Sequence, residues 1–304
     1  MDIHRATLIY VFPILIGIAL MEALLIILIQ RKSYPWRESL ASIGVALGQR
    51  FAGLATAGLV SGLFGFVWQF RLWTVDLHNG WNIVLLFLGV ECCYYWQHRT
   101  MHECRWFWAS HAVHHSPQHI NLSGAYRLGW TGSITGATLF YVPLILLGFA
   151  PQAISLTLVL NLLYQFWLHT ELVPRLGWLD LVFNTPSNHR AHHATNPQYL
   201  DTNYGGVTMI FDHLFGTYVA EKKEDPCTYG LVHQITSYNP LVIVFNEWRS
   251  ILRDLRHSHS LQDVIGYLFK SPGWTPDGNG LTSARIKAVA QQTKQHGVAQ
   301  PEHG

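Results

Sequence analysis

Long apolar runs alternate with short polar segments dense in histidine along this chain. A bilayer-spanning helix takes about 20 largely apolar residues. Residues 7–30 and 51–70 meet that length, and residues 81–97 approach it and run straight into a histidine cluster. Residues 134–149 and 153–168 form a pair joined by a short Ala150-Pro151-Gln152 turn. The pattern leaves two tight spans and a re-entrant hairpin both open. The first run is too long for the apolar part of a signal peptide and lacks a small-residue cleavage site, so it reads as retained. In residues 239–256, Leu241, Val244, Phe245, Trp248, Ile251, Leu252 and Leu255 recur near helical spacing beside Arg249, Arg253 and Arg256. That suits an amphipathic helix on the membrane surface or an ordinary helix packed on the catalytic part. The expected fold is an all-α integral membrane protein. It has four to five transmembrane or re-entrant helices and a histidine-rich helical cap. The expected divisions are 1–80 (membrane helices), 81–237 (catalytic region), 238–276 (amphipathic segment) and 277–304 (polar tail).

Composition sharpens this picture. Of 304 residues, 49% are hydrophobic and 12% charged, against about a quarter charged in soluble domains. A net charge of +2 offers nothing to nucleic acid. Cys92, Cys93, Cys104 and Cys227 form no C-x-x-C pair and read as reduced, mostly buried thiols. Arg31, Lys32, Arg37 and Arg50 follow the first run, whereas the loop after the second carries only Arg71. Positive charge concentrates on the cytosolic side, so the amino terminus is expected outside and the third run to deliver its histidines to the cytosol. If 134–168 crosses twice, every later cluster lies on that same face. Trp36, Trp68, Trp73, Trp81 and Trp96 sit near span ends, as interfacial aromatics do.

The chemistry lies in the histidines. Three clusters stand out: His98 and His102; His111, His114 and His115; and His189, His192 and His193. Residues three or four apart share a helix face, so each cluster aims at least two imidazoles at one point. Eight imidazoles exceed what one ion accepts, and two ions is the economical count. His169 is a ninth candidate, ending a polar stripe of Asn161, Gln165 and His169 on an apolar helix; a hydrogen-bonded structural histidine is the alternative. Glu91 shares a face with His98, two turns away, and is a candidate to hold a ligand imidazole by its remote N–H, or to serve as a buried hydrogen-bonding group. Asp201, Asn203 and Asp212 could orient ligands or cap helices, and Glu22 reads as structural. Imidazole suits iron, zinc and copper alike. No H-E-x-x-H, G-x-S-x-G, P-loop or Rossmann glycine pattern is present, which leaves hydrolysis little support. A membrane diiron oxygenase fits. A metal transporter fits less well, because the clusters follow the spans instead of recurring inside them. A non-catalytic scaffold has no chemical reason to keep complete clusters.

Five stretches carry a family resemblance. They are His115-Ser-Pro-Gln-His-Ile-Asn-Leu-Ser, Asn161-Leu-Leu-Tyr-Gln-Phe-Trp-Leu-His-Thr-Glu171, Asn184-Thr-Pro-Ser-Asn-His-Arg-Ala-His-His193, Phe211-Asp-His-Leu-Phe-Gly-Thr217 and Phe269-Lys-Ser-Pro-Gly-Trp274. With the clusters, they resemble the fatty acid hydroxylase superfamily of membrane diiron enzymes, sterol desaturases included, over roughly residues 81–276. The likeness is strongest to its ether-lipid monooxygenase branch and bacterial relatives. The resemblance implies that His98, His102, His111, His114, His115, His169, His189, His192 and His193 bind two iron ions, with Glu171 shaping the site. It implies dioxygen-dependent hydroxylation of a lipid C–H bond, desaturation being the alternative. Electrons would come from tetrahydrobiopterin or an external electron-transfer protein, since no flavin, nicotinamide or haem domain is recognisable. Asn188 stands where the ether-lipid branch has a histidine, and His119 where an acidic residue is common. Both departures put an ether-lipid substrate in question without removing a ligand.

Overall fold

A computed structural model describes residues 12–297. The first apolar run forms α1 (Phe12–Leu28); its expected start at residue 7 lies outside the described residues. The second belongs to one unbroken helix, α2 (Trp36–Trp68). No proline interrupts those 33 residues, which at 1.5 Å each reach about 50 Å, well beyond a hydrocarbon layer of about 30 Å. Arg37 and Arg50, expected in a loop, therefore ride on this helix. Its first turns stand clear of the apolar stretch and pack against the cap. Among the described residues, α2 alone is both long and apolar enough to cross a bilayer by itself.

The third run forms α3 (Gly80–Glu103), which carries His98 and His102 on its last turns. Extended backbone at Cys104 breaks the helix, and α4 (Arg105–His115) follows. The run 134–149 is not one helix. Gly136 and Gly148 both have φ +93°, Pro143 opens a new first turn, and the result is a 3-10 turn (Ala137–Tyr141) followed by α5 (Val142–Leu146). This irregular arm still runs the length of α3. Gln97 donates to the Ala137 carbonyl and accepts from Tyr141, Leu144 lies against Gly89, and the amides of Leu72 and Val75 donate to the carbonyls of Leu146 and Gly148. The return arm is α6 (Pro151–Phe166).

The cap adds α7 (Leu179–Val182), α8 (Pro186–His193), α9 (Ile210–Phe215), α10 (Pro240–Arg256), α11 (Leu261–Phe269) and α12 (Ser283–Gly297). No strand forms among the described residues, only two isolated bridges, Phe183 to Thr208 and Ala194 to Tyr229.

Two cores hold the layers together. Phe64, Leu86, Val90, Tyr141, Leu144, Ile145 and Ile154 lock α2, α3 and the hairpin into one body. Ala41, Val45, Val113, Ile243 and Val244 join the start of α2 to α4 and α10. Each such side chain contributes about 1.5–3 kcal/mol on burial. Ile243, Val244 and Ile251 of α10 thus pack on the cap, while Leu241 and Leu252 stay more than half exposed. Gly48 permits this seam, since a Cβ there would stand 1.9 Å from the Trp130 ring. Around the apolar body, by contrast, Leu54, Leu59, Ile83, Leu85, Leu156 and Leu160 are all more than half exposed. A soluble protein does not show so continuous an apolar surface, and this girdle fits a membrane protein. The four cysteines are unpaired and half-buried, less enclosed than expected.

Candidate metal centre

The nine histidines come from four places. The end of α3 brings His98 and His102, the last turn of α4 brings His111, His114 and His115, and α8 brings His189, His192 and His193. His169 lies just beyond the end of α6, its Nδ1 3.0 Å from the Gln165 carbonyl four residues back. Two groups result. One joins His98, His102, His111, His115 and His192; the other joins His114, His169, His189 and His193; within each, the ligand nitrogens lie within 4.8 Å of one another. The groups adjoin, with the rings of His115 and His193 stacked 4.2 Å apart. Only His111 is more than marginally exposed.

Backbone carbonyls set the imidazole orientations. Nδ1 of His98 donates to the Tyr204 carbonyl (2.9 Å), His114 to Arg127 (3.1 Å), and His192 to Thr202 (2.8 Å). His102 Nδ1 faces the Asp201 carboxylate at 3.5 Å. Burial and the neighbouring imidazoles push His111, His115, His189, His192 and His193 well below the usual histidine range, and burial above all holds His114 down at about 4. These rings are neutral near pH 7, the form that binds metal.

Neutrality makes the contacts decisive. A neutral imidazole has one N–H. In His114 and His169 the backbone carbonyl takes it, so each Nε2 presents a lone pair. Yet these two Nε2 atoms face each other at 3.2 Å. No hydrogen lies between them, and a shared cation removes the repulsion. The Nε2 atoms of His102 and His192 are likewise buried without any hydrogen-bond partner. Other Nε2 pairs, His98 with His111, His111 with His115, His169 with His189 and His189 with His193, are 3.0–3.1 Å apart. Metal–nitrogen bonds of about 2.1 Å set ligands roughly 3.0–3.4 Å apart at angles of about 90–109°. The donor set therefore fits two metal ions, one held by five nitrogens and one by four.

A loop at residues 201–205 serves the five-nitrogen group. Asp201 (φ 48°) and Asn203 (φ 57°) adopt left-handed backbone that non-glycine residues rarely take. This turns the Asp201 carboxylate and the Thr202 and Tyr204 carbonyls toward three different histidines. Asn203 ties the loop to Val219 and Asn188, and fully buried Asp212 accepts from the Tyr204 amide (2.8 Å), the Gly205 amide (2.7 Å) and Thr217 (2.7 Å).

The remaining candidates sit elsewhere. Glu91 bonds to no imidazole. It accepts from the Val207 and Thr208 amides, the Thr208 hydroxyl and Asn161. Asn161 accepts in turn from Gln165, whose carbonyl orients His169. Glu91 thus fixes the frame around His169 instead of holding a ligand's N–H. Asn188 uses its amide to hold the Asp180 and Phe183 carbonyls. Glu171 is exposed and makes no hydrogen bond to any of the nine histidines, because the chain has left the α6 helix before reaching it. His119 pairs with Glu38 at the surface. Glu22 accepts from the Leu122 amide and from Thr170, the neighbour of His169. The orienting carbonyls of Arg127, Thr202 and Tyr204 were not anticipated; a backbone carbonyl leaves no mark in composition or spacing.

The fatty acid hydroxylase family model matches residues 83–217, a stretch that contains all nine histidines. The chain is 36% identical over 267 residues to human alkylglycerol monooxygenase, covering 87% of this chain and 59% of that protein. It is 35% identical over 264 residues to the zebrafish (Danio rerio) alkylglycerol monooxygenase, covering 86% and 58%. To ornithine lipid hydroxylase OlsE of Rhizobium tropici it is 30% identical over 194 residues, covering 64% and 57%. The chain thus spans under three fifths of the length of these relatives. No solved structure matches it.

Proposed function

We propose that this chain is a membrane-bound diiron monooxygenase that hydroxylates a C–H bond of a lipid, an ether lipid being the favoured substrate. The metal part rests on one observation above others, the two lone pairs of His114 and His169 facing each other at 3.2 Å. The lipid part rests on relatives named for monooxygenation or hydroxylation of lipids. His98, His102, His111, His115 and His192 would hold one iron and His114, His169, His189 and His193 the other. Iron bound there supplies dioxygen activation and oxidation of an unactivated C–H bond. The protein's own share is positioning: carbonyl and carboxylate anchors fix the rings, and burial keeps them unprotonated. Hydroxylation of a carbon next to an ether oxygen gives a hemiacetal, which collapses to an aldehyde and an alcohol. Electrons come from outside the recognisable domain, from a reduced pterin or an electron-transfer protein.

The same reading places the enzyme as a multi-pass protein with its histidines toward the cytosol. Arg31 and Lys32 join α1 to α2, whereas Arg71 stands alone beyond α2. The α5–α6 turn reaches that far loop, which supports two crossings by the hairpin.

The test uses iron-loaded, detergent-purified full chain with a 1-O-alkylglycerol, labelled dioxygen and a reduced pterin or a reduced ferredoxin. Fatty aldehyde carrying the label is the expected product. An alkene would move the reaction to desaturation, and no oxidised lipid with any tested donor or lipid class would reject the oxygenase reading.

A further inference from the structure

A cavity of 1090 Å³ opens on the metal centre from the cap side. His102, His115 and His192 of one group and His193 of the other line it, so it meets both candidate ion sites. No described residue before His102 contributes to its wall, which puts it on the far side of the histidines from the apolar helices. A lipid reaching the centre with its tail among those helices could place its polar end in this space.

The outer wall is basic. Arg249, Arg253 and Arg256 line it from α10 at spacings of four and three, hence on one face. The nearby carboxylates are already engaged: Glu247 and Asp254 bind Arg105, and Asp201 faces His102. Arg253 reaches Ser250 and Asp254. Arg249 and Arg256 make no hydrogen bond or ion pair with a described residue. Both side chains are exposed at the cavity mouth, where they are free to take an anion, and guanidinium matches phosphate or carboxylate oxygens in pairs.

Resting on the lipid-oxidising reading above, we infer that this cavity is the head-group subsite of the enzyme and selects lipids whose polar head carries an anion, with Arg249 and Arg256 binding it. The oxidised C–H bond then lies near the head of the lipid and not at the distal end of its tail.

The test is equilibrium binding to the full, iron-loaded chain in neutral detergent, which needs no turnover. The probes are 1-O-hexadecylglycerol 3-phosphate, uncharged 1-O-hexadecylglycerol, and glycerol 3-phosphate as the free head. The inference expects wild type to prefer the phosphorylated lipid, and Arg249→Gln/Arg256→Gln to lower that preference about tenfold. The corresponding double lysine variant, which keeps the charge, should retain most of it and so separate charge from packing. Equal affinity for both lipids, or a preference untouched by the glutamine variant, overturns the inference. Glycerol 3-phosphate binding as tightly as the phosphorylated lipid also overturns it, in favour of a free phosphate ester. An unchanged lipid preference with slower electron delivery from an acidic donor protein would reassign the arginines to docking that protein. Because the readout is binding, lipids that bind selectively but are not oxidised would count against the oxygenase reading while leaving the subsite standing.

Discussion

At the scale of single residues, the opposed lone pairs of His114 and His169 make the strongest demand on chemistry. His114→Ala or His169→Ala should cut bound metal from two ions per chain to about one and lower lipid oxidation at least about 100-fold, read by elemental analysis and product formation. Asp201→Ala acts on the other group. Without the carboxylate beside His102, metal affinity there should fall about 10- to 100-fold, seen as selective loss of one ion to a chelator. Equal loss of both ions would refute the division into two groups. The eight clustered imidazoles were legible in the sequence from their three- or four-residue spacing, whereas His169 was marked only by the polar stripe of Asn161 and Gln165, which left a structural role open. The elements orienting them were not, since every residue owns a carbonyl. Glu91 shows the limit of periodicity: seven residues put it on the His98 face, but also about 10 Å along the helix, where the Val207 and Thr208 amides claim its oxygens first.

At the scale of elements, the centre depends on how α4 is seated. Arg105, the first residue of α4, binds Glu247 at 2.8 Å, Ser250 at 2.9 Å and Asp254 at 2.7 Å on α10. All three histidines of α4 hang from this anchor. Arg105→Ala would leave the half-buried Glu247 carboxylate without its partner, Asp254 keeping only Arg253, and should cost about 1–3 kcal/mol, measured as a lowered denaturation midpoint. Gly48→Leu should open the seam between α2 and the cap, because Trp130 already occupies the space of a Cβ; its expected signature is faster proteolysis of the cap with α2 still inserted. The apolar runs announced where helices lie but not their form. Residues 134–149 have the hydropathy of a span, yet Gly136, Pro143 and Gly148 divide it into a 3-10 turn and a short helix that lean on α3. Conversely, α2 extends far beyond its apolar stretch, because Trp36 to Arg50 is helix-compatible and the cap gives its polar face partners.

At the scale of the whole molecule, an apolar girdle stands apart from a polar, histidine-lined cap. The proposed orientation predicts that Arg71→Cys is labelled by an impermeant thiol reagent added to intact cells, whereas Lys32→Cys is labelled only after lysis. The reverse pattern would place the histidines outside the cytosol. The central claim is the two-ion iron centre, and it is tested most directly by elemental analysis and Mössbauer spectroscopy of the full chain grown on iron-57. The account predicts about two irons per chain, coupled to one another. A single zinc, or no iron after anaerobic reconstitution, would contradict it.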